Sequence, residues 1–136
     1  MLRPLQLATA LASAMLLAAA YGQTIESAEA LAKPQPGETA ELDLQSIKRF
    51  GDNIGRFEVN IVRVDPASAR PNGPGPRRVR YVIDCEAQTM TLAAVGVFDD
   101  SGQVQRSLVV PPGAVDPVKP AKGTPEYKWL RRACLF

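Results

Sequence analysis

From Leu42 onward the large apolar residues recur at every second position, a period that constrains the chain to β-strands with one buried face. Residues 56–64, RFEVNIVRV, set Phe57, Val59 and Ile61 against Glu58 and Asn60. Residues 77–84, RRVRYVID, set Val79, Tyr81 and Ile83 against Arg78, Arg80 and Asp84, and the odd-numbered side runs on into Cys85, which therefore faces the core. Residues 88–98, QTMTLAAVGVF, are apolar on both sides, which predicts a central strand covered on two faces.

Turn chemistry divides these runs into hairpins. Gly51-Asp52-Asn53 joins the Ser46–Phe50 segment to the strand beginning at Arg56, and Asp99-Asp100-Ser101-Gly102 leads into residues 103–110. There Val104, Leu108 and Val110 share a face broken by Arg106. The stretch Asp65–Pro76 holds four prolines and Asn72-Gly73, so it is predicted to be an exposed, stiffened loop rather than sheet interior. After Pro111-Pro112-Gly113 the chain runs extended to Gly123, Thr124, Pro125 and Glu126, which read as an N-cap, first position and first turn of a short helix. Helical spacing puts Tyr127, Leu130 and Cys134 on one stripe beside Ala133. The predicted class is α+β, mainly β: an antiparallel sheet with a short C-terminal helix.

The first 22 residues read as an export signal. Arg3 precedes an apolar run from Leu5 to Ala20 that ends in small residues, and about 16 such residues are short for the roughly 20 needed to span a bilayer. No stable membrane anchor is expected, and the predicted location is the periplasm or the cell surface and beyond. Residues 23–41 contain only Ile25 and Leu31 as large apolar groups, and are read as a flexible or loosely docked leader. A short helix over Glu26–Ala32 is compatible with that segment, stopped by Lys33-Pro34-Gln35-Pro36-Gly37. The domain itself is taken as residues 42–136.

In an exported chain two cysteines, one ending a core-facing strand and one on the apolar stripe of a terminal helix, are most simply a Cys85–Cys134 disulfide. A redox pair or reactive thiol is the alternative, but the two lack the Cys-X-X-Cys spacing that tunes such centres.

The order of segments is itself recognisable: Leu42–Arg49 before a strand, Tyr81-Val82-Ile83-Asp84-Cys85, Asp100-Ser101-Gly102, Val110-Pro111-Pro112, Gly123-Thr124-Pro125-Glu126 and a terminal Cys134. It resembles the surface-adhesin protein E-like domain family of Gram-negative bacteria over Leu42–Cys134. That resemblance implies a C-terminal helix tied to one face of an antiparallel sheet by a disulfide at the positions matching Cys85 and Cys134. It also implies an extracytoplasmic protein that engages a host extracellular or envelope protein. Two features depart from the family pattern: the signal carries no lipidation cysteine, and no aromatic strand precedes Leu42.

Composition narrows the chemistry. The chain has no histidine, which excludes Ser/His/Asp triads, Cys/His pairs and His-ligated metals, so no enzyme activity and no cofactor are expected. Residues 1–22 contain one charged group, Arg3, so the 16 basic residues against 14 acidic become near parity after export. Nucleic acid is not an expected partner, because phosphate binding needs a clustered cationic field.

Two candidate partner-binding features remain. Arg77, Arg78 and Arg80, with Lys128, Arg131 and Arg132, offer a cationic patch to an acidic partner, the plainer alternative being a solvated face that discourages edge pairing. Trp129 with Tyr127 offers an aromatic platform, unless the rings simply pack the helix onto the sheet. The carboxylates Asp43, Asp84, Asp99 and Asp100 are read as turn-supporting groups rather than as paired acids or calcium ligands. The expected function is an exported, non-enzymatic interaction module. The alternative is a periplasmic small-molecule binder or accessory protein with a pocket between sheet and helix, lined by Tyr81, Met90 and Leu130. Exposed edge strands leave a homodimer open, with no residue specifying it.

Overall fold

The computed structural model describes residues 25–52, 54–64, 76–99 and 101–136. The predicted export signal, residues 1–22, and most of the proline-rich loop, residues 65–75, lie outside the described residues, as does Asp100.

Five strands, β1 (Thr39–Arg49), β2 (Arg56–Val64), β3 (Arg77–Asp84), β4 (Thr89–Phe98) and β5 (Val104–Val109), form one antiparallel sheet in chain order. Helix α1 covers residues 25–32 and helix α2 spans Pro125–Ala133. The mainly β, α+β class expected from the period-two pattern is the class observed.

Parity along β2 and β3 sorts the side chains as the sequence dictates. Phe57, Val59 and Ile61 pair with Ile83, Tyr81 and Val79, and all but the partly buried Tyr81 are buried on one face. That face carries both helices. Ile47, Phe57, Val59, Ile61, Ile83 and Met90 pack against Trp129, Leu130 and Ala133 of α2, while Val79, Val95 and Val110 pack against Ala28 and Ala32 of α1. Tyr81 touches both clusters and bridges them.

β4 departs from its expected role. β3 is the central strand, and β4 sits next to the edge strand β5. The register steps from Arg80↔Ala94 to Tyr81↔Leu92, so Ala93 is an extra residue. A bulge of this kind reverses parity. Met90 and Leu92 before it therefore share a face with Val95 and Val97 after it, and the two-sided apolar run reflects a phase slip rather than burial on both faces.

β1 is also irregular. Its register with β2 breaks between Asp43 and Lys48, where Ser46 closes the gap. The Ser46 hydroxyl donates to Asp43 C=O (2.6 Å) and accepts from Asn60 N–H (2.8 Å), standing in for a main-chain rung. Ser46→Ala leaves both main-chain groups without that partner and is expected to cost about 1–2 kcal/mol, read from the midpoint of urea unfolding.

The leader read as flexible or loosely docked is docked from residue 25 onward. Ala28 and Ala32 are buried against the sheet, and β1 begins at Thr39, upstream of the predicted boundary at Leu42. The segment contributes little apolar area of its own; it packs because two small alanines fit a hollow between Val79, Val95 and Val110.

α2 forms as its sequence predicts. The Thr124 hydroxyl accepts from Tyr127 N–H at 3.3 Å, Pro125 opens the helix, and Arg131 and Arg132 lie in the last turn. The Cys85–Cys134 disulfide ties its end to the β3–β4 turn, with Cα atoms 5.6 Å apart. At the same corner Cys85 N–H donates to the carbonyl of Gly55 at 2.8 Å. Gly55 has φ +81°, a conformation that glycine adopts without a Cβ clash.

Candidate binding site

The arginine stripe does not form a free cationic patch. Arg77 is an odd-numbered residue of β3 and points with Val79 into the core side, where it is 1% exposed. Its guanidinium pairs with the Glu38 carboxylate and donates to Lys33 C=O at 3.2 Å. Arg78 and Arg80 do emerge on the open face, but Arg78 meets Asp43 at 3.6 Å and Arg80 meets Glu58 at 2.9 Å. Lys48 reaches the same Glu58 at 3.8 Å, and Arg56 reaches Asp84 at 3.4 Å. That face is a lattice of alternating charges rather than a single-sign field.

Trp129 is likewise unavailable as a platform. It is 8% exposed and packs in the core beneath α2, whereas Phe136 is 63% exposed. The core reading of Trp129 holds because the helix needs a large apolar face toward the sheet.

The carboxylates serve turns. Asp43 accepts from Gln45 N–H, and Asp84 accepts from Glu86 and Ala87 N–H, each at 3.1 Å. Asp99 accepts from the Ser101 hydroxyl at 2.7 Å and from Gln103 N–H at 2.9 Å. These bonds, the Ser101 hydroxyl foremost, hold the Asp99 carboxyl below the usual carboxylate range.

What the fold does assemble is a cleft on the helix-bearing face. Residues 111–117 leave β5 as an irregular strap pinned at both ends to the rim of β4. Val110 N–H donates to Ala93 C=O at 2.8 Å, and Val118 and Met90 exchange two main-chain bonds at 2.8 and 2.9 Å. Between those pins the strap turns at Pro112-Gly113, where Ala114 N–H donates to Pro111 C=O at 3.1 Å and Gly113 takes φ +80°.

Beneath the strap and between the helices lies a cleft of about 460 Å³. Tyr81, Met90 and Leu92 form its floor, and Ala32, Val115 and Val118 its walls. Glu29 and Lys33 from the α1 side, Asp116 from the strap, Lys119 just beyond it and Glu126 from α2 ring the mouth. An apolar floor inside a mixed-charge rim suits a ligand that presents an apolar group flanked by polar ones.

Of the residues expected to line such a pocket, Tyr81 and Met90 do, and Leu130 does not, being 1% exposed in the core under α2. Val115 and Val118 were missed. Their signal is that of lone apolar residues in a proline-rich extended stretch, too exposed in sequence terms to be core yet placed where they cover the β4 rim. A second hollow, on the open face, is bounded by Val82, Thr91, Ala94, Val109 and Pro112 and meets the cleft at Leu92 and Val115.

Comparison of the chain with protein-family models, with curated proteins and with solved structures finds no match.

Proposed function

We propose that this chain is an exported, non-enzymatic binding module that engages a protein partner through the cleft between α1, α2 and the strap. The observation that carries this reading is the apolar hollow with its charged rim, the anatomy of a recognition pocket, on a scaffold fixed by a disulfide. The motif order shared with the surface-adhesin protein E-like family supports a partner outside the cytoplasm, such as a host extracellular or envelope protein. Support for export comes from the disulfide, a bond that persists in oxidising compartments. Among the described residues no helix is long and apolar enough to cross a membrane.

The test is a binding screen of the oxidised protein against extracellular-matrix and envelope proteins, followed by Val118→Lys. The Val118 side chain is 64% exposed and its bridge to Met90 is main-chain, so the fold tolerates the change. A charge in the cleft wall is expected to weaken binding about tenfold or more while leaving the melting temperature unchanged. Arg78→Ala and Arg80→Ala are expected to leave binding unaltered. Loss of binding in the arginine variants with none in Val118→Lys would return the site to the open face.

A second reading is favoured by volume. At about 460 Å³ the cleft falls inside the roughly 300–1,000 Å³ of small-molecule sites, which supports a small amphipathic ligand in an envelope-binding or accessory role. Thermal-shift screening with such molecules, absent any protein partner, separates the two readings.

A further inference from the structure

The cationic residues singled out in the sequence divide in two on folding. Those of β3, Arg77, Arg78 and Arg80, are paired with Glu38, Asp43 and Glu58. Those of α2 are not. Lys128, Arg131 and Arg132 are exposed, and among the described residues none of them meets a carboxylate.

Positions 128, 131, 132 and 135 have the spacing of one helical stripe, opposite the stripe of Trp129, Leu130 and Ala133 that packs on the sheet. Leu135 continues the cationic side. Past the last helical residue its N–H still bonds Arg132 C=O at 3.3 Å, and Phe136 N–H bonds Ala133 C=O at 3.2 Å. The two residues are 73% and 63% exposed. Glu126, the acid of α2, lines the cleft instead, and Asp52 and Glu86, exposed acids at the disulfide end of the sheet, belong to its turns.

We propose that the outer side of α2, with Leu135 and Phe136, is a docking surface for an anionic phospholipid bilayer, peripheral and reversible rather than spanning. The two chemistries side by side select this partner. A sulfated polysaccharide supplies anions for the unpaired cations but no hydrocarbon. A bilayer supplies phosphates at the depth of the arginines and acyl chains just beneath, where Leu135 and Phe136 leave water. The sheet-facing stripe of α2 stays in the core, so docking requires no rearrangement of the fold.

The test is co-sedimentation of the oxidised protein with vesicles of phosphatidylglycerol and phosphatidylcholine in equal parts, against phosphatidylcholine alone. Binding is expected on the first, falling steeply with added salt, and not on the second. Each basic residue at such a surface contributes about fivefold to partitioning, so Arg131→Gln with Arg132→Gln is expected to weaken binding about twentyfold or more with unchanged circular dichroism. Leu135→Ser with Phe136→Ser is expected to weaken it about tenfold, a loss that a site for anions alone would not show. Arg78→Ala with Arg80→Ala removes as much charge from the open face and is expected to leave binding unaltered. If the helix arginine variant fails to fold, Lys128→Gln with Leu135→Ser decides the matter, and undiminished binding there overturns the proposal. So does a wild-type protein that ignores the anionic vesicles, even where a sulfated polysaccharide retains it. Equal binding to both vesicles, or equal loss in the two arginine pairs, overturns it as well. Val118→Lys is expected to leave vesicle binding undiminished, so failure of the cleft reading and failure of this one are separable.

Discussion

Replacing Glu38 with alanine is expected to destabilise the fold by about 3–5 kcal/mol, because it leaves the Arg77 guanidinium buried with no counter-charge. The Arg77 side chain is 0% exposed and that of Glu38 2% exposed, and they bring residues distant in sequence together. The pair is incompletely satisfied among the described residues, where Glu38 Oε2 and Arg77 Nε and Nη1 have no hydrogen-bond partner. Its desolvation cost is therefore only partly offset, and the interaction serves position more than net stability. Two outcomes follow. Glu38→Ala is expected to lower the denaturant midpoint sharply and to raise amide exchange through α1, whose anchor it removes. The double replacement Glu38→Leu with Arg77→Met, which removes both charges at similar volume, is expected to recover most or all of that loss. A Glu38→Ala protein as stable as the wild type would mean that the two groups exchange readily with water.

Replacing both cysteines with alanine is expected to remove about 4 kcal/mol, the chain-entropy value for cross-linking residues separated by 49 positions. A domain of this size has total stability of about 5–15 kcal/mol, so the loss lowers the melting temperature by roughly 15–30 °C. The effect is local as well as global. α2 is only nine residues long, too short to persist alone, and without the tie it is held by Trp129, Leu130 and Ala133. Calorimetry of the oxidised and reduced protein checks the first expectation, and amide exchange in α2 checks the second. Equal melting temperatures in the two redox states would show that packing alone fixes the helix.

How far the sequence could be read depended on whether its signals were local. The strands of β2 and β3 and the Thr124 cap follow from residue type and spacing within a few positions, the pairing of Cys85 with Cys134 follows from the chain holding two cysteines, and all are present. The same parity that faced Val79 inward also assigns Arg77 to the core side, so its burial was legible, although a charge at that position invites the opposite reading. The β4 bulge was not legible, because an extra residue is invisible until a partner strand sets the register. Nor was the docking of α1. Ala28 and Ala32 carry no strong hydrophobic signal, and their fit depends on a hollow made by strands far along the chain. The cleft was legible in part: Tyr81 and Met90 are expected pocket residues and line it, whereas Ala32, Val115 and Val118 become their neighbours only after folding.

The covalent loop from Cys85 to Cys134 encloses β4, β5, the strap and α2, and so most of the cleft wall. A protease that nicks the exposed strap would thus shed no fragment: both pieces stay joined through sulfur, and the hollow keeps all its parts. Only cleavage combined with reduction would let them diffuse apart, which gives the cleft a tolerance to proteolysis that the segment outside the ring does not share.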